Sequence, residues 1–111
     1  MTHIRRFDPR TAEAAHENTI LASPVIPEEA RAPVGHAYGY LDRDGARMEA
    51  HAHPTYEFYL ILEGEGYAEI DGLREPVRAG DYVEIPPNAL HAMLCKGDRP
   101  FLWAAFWWAL Q

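Results

Sequence analysis

The sequence predicts an all-β fold, an antiparallel sandwich or barrel, on three observations. From Val34 onward the chain is a succession of short apolar and aromatic runs. Turn signals interrupt them at Asp44-Gly45, Glu63-Gly64, Asp71-Gly72, Ala79-Gly80, Pro86-Pro87-Asn88 and Lys96-Gly97-Asp98, the residue types that tight connections require. This spacing leaves no room for helices between strands, so antiparallel neighbours are the economical arrangement. With 111 residues, 48% of them hydrophobic, the chain is long enough for one core and too short for two.

The elements follow in order. Residues 1–33 read as an N-terminal arm, extended or partly helical, with a short helical turn around Thr11 to His16 and then Pro24, Pro27 and Pro33. Residues 34–111 form the barrel. Its first strand carries His36, Tyr38 and Tyr40 at period two, and parity alone leaves them facing either a cavity or the outside. Next, Arg47, Glu49, His51 and His53 share one parity, and Met48, Ala50 and Ala52 the other. Beyond the bend at Pro54, Glu57, Tyr59 and Ile61 share a face, and downstream so do His91, Met93 and Cys95. The final run, Phe101 to Leu110, holds all three tryptophans. It is either a terminal strand buried between barrel and arm or a subunit surface. One small barrel has limited room for Trp103, Phe106, Trp107 and Trp108 on both faces, which favours a homodimer.

Composition excludes some functions. Charged residues make up 24% with a net charge of −7, and no basic patch is available for phosphate backbones or anionic lipid, so neither nucleic acid nor a membrane is expected as partner. Cys95 is the single cysteine. That rules out an intrachain disulfide and a cysteine-rich zinc module, and fits a reducing, cytoplasmic setting. Arg5 and Arg6 are followed by no apolar h-region, and the ten residues of Phe101 to Leu110 are the longest apolar run. Neither a cleaved signal nor a bilayer span is expected.

Chemistry concentrates in His51, His53 and Glu57, with His91 on a later strand as a fourth candidate ligand. A lone barrel histidine is most often core or surface. Imidazole and carboxylate together, at a spacing that delivers residues 51 and 53 to one side of a strand, are what divalent transition metals prefer. The expected cofactor is one such ion per chain, with Fe, Mn, Zn, Ni, Cu and Co all admissible. Four protein ligands leave one or two positions open on a metal that accepts five or six.

The segment from Gly45 reads G-x5-H-x-H-x3-E-x6-G, and the segment from Gly80 reads G-x5-P-x-N-x2-H-x3-C. Both resemble the two motifs of the cupin superfamily, in its small single-domain microbial form. The first is matched at every fixed position. The second departs at Asn88, where glycine is usual, and at Cys95, where asparagine is usual. Asn tolerates the left-handed backbone that glycine would serve. The resemblance implies a small double-stranded β-helix, or jelly-roll barrel, holding one metal through His51, His53, Glu57 and His91, and it also points to a homodimer. The superfamily includes dioxygenases, isomerases, lyases, sugar binders and storage proteins, so it names no reaction.

On this frame Tyr59 and Met93 are expected in the cavity wall, and Cys95 as a buried small hydrophobe. Arg47 at the cavity mouth would clamp a substrate carboxylate and Glu49 would act as a base, unless both face solvent. His3 and His16, in the arm, have no assigned role. The expected function is a metal-dependent enzyme of dioxygenase, isomerase or lyase type acting on a small polar metabolite such as a keto acid, a sugar acid or a phenolic compound. The alternatives are a non-catalytic module that binds or senses a small ligand, and a metal serving only as a structural staple.

Overall fold

The computed structural model describes residues 3–110. Nine strands run through them in chain order: β1 (Glu13–Ala15), β2 (Ile20–Ser23), β3 (Gly35–Leu41), β4 (Tyr56–Glu63), β5 (Glu65–Ile70), β6 (Leu73–Arg78), β7 (Tyr82–Ile85), β8 (His91–Lys96) and β9 (Phe101–Trp108). A single 3-10 turn, Glu28–Ala30, is the only helical element among the described residues. All six turn signals fall between strands.

Two antiparallel sheets face each other as a jelly roll. One has the order β1-β2-β3-β9-β4-β7 and the other β6-β5-β8. Alternation works as expected along β4, where Glu57, Tyr59 and Ile61 are buried, and along β8, where His91, Met93 and Cys95 are. Their inward faces meet Leu41, Met48, Ile85, Phe101 and Trp103 in one core. Gly64, at the β4–β5 turn, has φ +81°, and a Cβ there would strike the Pro100 carbonyl. Glycine serves both demands.

Two expectations about the N-terminal region change. The predicted helical turn at Thr11–His16 is instead β1 and the start of a tight turn into β2. The barrel sheet therefore begins at Glu13, not at residue 34, since β2 pairs with β3 from Leu21↔Tyr40 to Ser23↔Tyr38. The alanines of Glu13–Ala15 favour helix in isolation, and pairing with a ready sheet edge overrides that preference. Phe7 packs on Tyr38 and Tyr40, with ring centroids 5.4 and 5.0 Å away, and the N–H groups of Val25 and Ile26 donate to His36 Nδ1. This settles the open face of β3: His36, Tyr38 and Tyr40 carry their rings on the outside, and Gly35, Ala37, Gly39 and Leu41 look inward.

Candidate metal centre

The segment between β3 and β4 runs beside β8 but is not a regular strand. It touches β8 through two isolated bridges, Arg47↔Leu94 and His51↔His91. Four residues advance on one side (47 to 51) while three advance on the other (91 to 94), so one extra residue bulges out between the bridges. A bulge of this kind reverses the alternation of side chains across it. Met48 is therefore buried at 1% exposure, while Arg47 and Glu49 are exposed and His51 turns inward.

This corrects the expectation that Arg47 and Glu49 share the ligands' face. The Arg47 guanidinium lies 2.7 Å from the Glu69 carboxylate on the outside of β5, and neither Arg47 nor Glu49 lines the cavity that the ligands face. Met93 and Cys95 do point inward as their parity predicts, but into the apolar core and away from that cavity. The Cys95 Sγ donates to the Arg99 carbonyl at 3.5 Å, and burial pushes its thiol upward in pKa. It is a small hydrophobe in a protected place.

The four predicted ligands converge. One ligand atom from each of His51, His53, Glu57 and His91 lies within 4.8 Å of the others. Glu57 enters from the second residue of β4 and His91 from the first residue of β8, both buried, while His51 and His53 come from the irregular segment. Asn88, with φ +68°, donates its N–H to the His53 carbonyl at 2.7 Å and so ties the two motifs together. The left-handed backbone expected at Asn88 is present.

Each imidazole is held from behind. His51 Nδ1 donates to the Glu49 carbonyl and His91 Nδ1 to the Ala89 carbonyl, each at 2.9 Å, and His53 Nδ1 lies 2.7 Å from Thr55 Oγ1. The two carbonyls fix the tautomer of His51 and His91 and leave their Nε2 a lone pair, whereas the Thr55 hydroxyl positions the His53 ring and can serve either tautomer. Glu57 Oε1 lies 2.9 Å from His53 Nε2 and 3.2 Å from His91 Nε2. Without hydrogen-bond geometry to that oxygen, His91 Nε2 is a buried polar atom lacking a partner. Such an atom is unfavourable by about 1–3 kcal/mol, and a metal ion would satisfy it. Burial pushes the His51 imidazole below its ordinary pKa, outweighing the Glu49 carbonyl that favours its charged form. Neutral imidazole is the form that ligates. The donor set thus fits a divalent ion with nitrogen and oxygen preference.

A cavity of about 340 Å³ opens beside this cluster. Tyr59 lines it, as expected for a wall residue, and is 2% exposed, with its ring edge-on to His91 at 6.1 Å. Burial, and then the charge of Glu57, push its phenol well above its ordinary pKa. The sequence reading missed His16. Its ring stacks on His51 at 4.0 Å and 18° and lines the same cavity. The turn that brings it there has three consecutive left-handed residues, His16, Glu17 and Asn18, at φ 50°, 58° and 63°. Thr19 pins the turn: its hydroxyl donates to the His16 carbonyl at 2.6 Å and accepts the Glu49 N–H at 2.7 Å. Asn18-Thr19 after a short Ala-rich run was the available sequence signal, and helix propensity masked it.

The geometry defines a class: a jelly-roll barrel with a three-histidine, one-carboxylate site opening on a small cavity. Residues 41–108 match the family profile of the Cupin domain, and the chain belongs to that family. It is similar, at 45% identity over 47 residues, to the dimethylsulfoniopropionate lyase DddW of Ruegeria pomeroyi, a match spanning 42% of this chain and 31% of that protein. Among solved structures it resembles a Cupin 2 conserved barrel domain protein from Salinispora arenicola (TM-score 0.81, 27% identity, 97% of this chain and 89% of that one). It also resembles the plu4264 protein of Photorhabdus luminescens (TM-score 0.82, 27% identity, 97% and 88%).

Proposed function

We propose that this chain is a metal-dependent enzyme of lyase or isomerase type that removes a proton next to a metal-held carbonyl or carboxylate. The convergence of three Nε2 atoms and the Glu57 carboxylate on a cavity carries this reading. A divalent ion bound there would polarise a substrate oxygen at its open position. The Tyr59 hydroxyl, kept protonated by burial and by the Glu57 carboxylate it hydrogen-bonds, orients that carboxylate beside the cavity. His16, which burial holds neutral, accepts the departing proton at the cavity mouth. Similarity to a lyase over 47 residues supports the reaction type.

A binding or sensing module is the second reading, favoured by one observation: Glu49, the expected base, faces away from the cavity. Proton exchange separates the two. Metal-loaded protein is incubated in D2O with a panel of 2-oxo acids and with dimethylsulfoniopropionate, and followed by NMR. Metal-dependent deuterium uptake or an elimination product supports the enzyme. Saturable binding with neither across the panel supports the module.

A homodimer and a cytoplasmic setting belong to the same proposal. On the outer face of β4, β7 and β9, Tyr56, Phe58, Tyr82, Phe106 and Trp108 form a continuous cluster of ring contacts. Phe7 packs over the neighbouring rings of β3, and a second copy would cover this cluster. The free, buried thiol of Cys95 suits a reducing compartment. No helix among the described residues is long and apolar enough to cross a membrane.

A further inference from the structure

We infer that the cavity takes a flat, ring-bearing molecule with one metal-binding oxygen head, rather than a compact polar acid. This rests on the reading of the four-residue cluster as a metal site.

The floor of the cavity carries the inference. On the inward faces of β3 and β9, small and large residues interlock. Gly35 is the register partner of Trp107, and Gly39 of Trp103. A Cβ built on either glycine would fall inside the partner's indole. Each indole therefore lies across the neighbouring strand instead of standing upright from the sheet; Trp103 is sealed between Gly39 and the Tyr59 ring, while Trp107, partly exposed, lines the cavity and offers it a ring surface. Ala37 and Ala105, paired between them, keep the floor level. Such a surface favours stacking of another flat ring.

The walls complete the selection. Ile20 and Met48 are apolar, and the polar residues lining the cavity away from the metal ligands are His16, Thr55, Tyr59 and Tyr38, whose ring packs on Phe7 at the outer face. Neither lysine nor arginine is among the lining residues, and Arg47 is paired with Glu69 outside. A second carboxylate on the ligand would find no cation and would be desolvated unpaired. The volume of about 340 Å³ is at the small end of the ~300–1,000 Å³ of ligand sites, room for one ring and a short head.

Isothermal titration calorimetry on metal-loaded protein tests this with phenylpyruvate and pyruvate, which share a 2-oxo acid head and differ by the ring. Phenylpyruvate is expected to bind at least tenfold more tightly. Trp107→Leu should erase that advantage while leaving metal content and pyruvate affinity unchanged. Equal affinities for the two acids, an undiminished preference in Trp107→Leu, or tighter binding of dimethylsulfoniopropionate than of phenylpyruvate would each overturn the ligand class. Failure of the purified protein to take up Ni(II), Zn(II) or Fe(II) overturns the metal reading instead, and this proposal with it.

Discussion

Metal should stabilise this barrel by a calculable amount, because the site is already assembled. The donor atoms of the four ligands sit within 4.8 Å of one another, and all three imidazoles are anchored through Nδ1. Little reorganisation is needed, so binding free energy passes into stability. Free metal at a hundred times its Kd contributes about 2.7 kcal/mol. At about 2.1 cal/mol/K per residue, unfolding of 111 residues carries an entropy near 0.23 kcal/mol/K, so Tm should rise by about 12 °C. His91→Ala removes one donor; a hundredfold weaker site brings the same metal concentration to its Kd, and the shift shrinks to about 2 °C. Differential scanning calorimetry of metal-free protein with and without Ni(II), at fixed pH and salt, measures both. A folded His91→Ala variant that keeps the full shift would refute the ligand assignment. So would a wild-type protein that gains nothing.

Three further outcomes are expected. Gly39→Ala pushes a methyl into the Trp103 indole, which is 1% exposed and has nowhere to go; overpacking of about 1–3 kcal/mol lowers Tm by about 4–13 °C, and an unchanged melt would mean the indole does not lie over Gly39. Burial lowers the pKa of both His16 and His51, so below their ordinary value of about 6.5 the unfolded chain binds more protons than the folded one. Stability of metal-free protein should then fall as pH drops through 6.5 toward the folded values, with a smaller slope in His16→Asn; urea melts from pH 8 to 5 check this, and a rise on acidification contradicts it. Sedimentation velocity should show a dimer that Trp108→Glu dissociates, and a monomeric wild type at micromolar concentration would remove the aromatic face as an interface.

The barrel was legible because its signals are local. Six turns are marked by their own residues, and Glu57, Tyr59 and Ile61 alternate within one unbroken strand, so period two reads their face without reference to anything distant. The convergence of His51, His53, Glu57 and His91 was legible for a related reason: histidine and carboxylate in a fixed pattern point to a cluster able to hold a metal. His91 needed the second motif, and the Ile70↔His91 register between β5 and β8 shows how the fold delivers it.

What failed was everything decided by a partner far along the chain. Arg47 and Glu49 lie only four and two residues before His51, and strict alternation should have carried them inward with it. The bulge that turns them out is set by how this segment meets β8, in the bridges Arg47↔Leu94 and His51↔His91, and the segment's own residues do not announce it. His16 was hidden in the same way. Three left-handed residues in succession are unfavourable in isolation, at about 1–2 kcal/mol each, and persist because Thr19 clips the turn to Glu49 and the imidazole stacks on His51. Strain maintained by long-range contacts and placed at a cavity mouth marks a site whose position matters. The base that the proposed reaction would use is therefore not Glu49, which adjacency suggested, but His16, which the fold brings to the cavity lining.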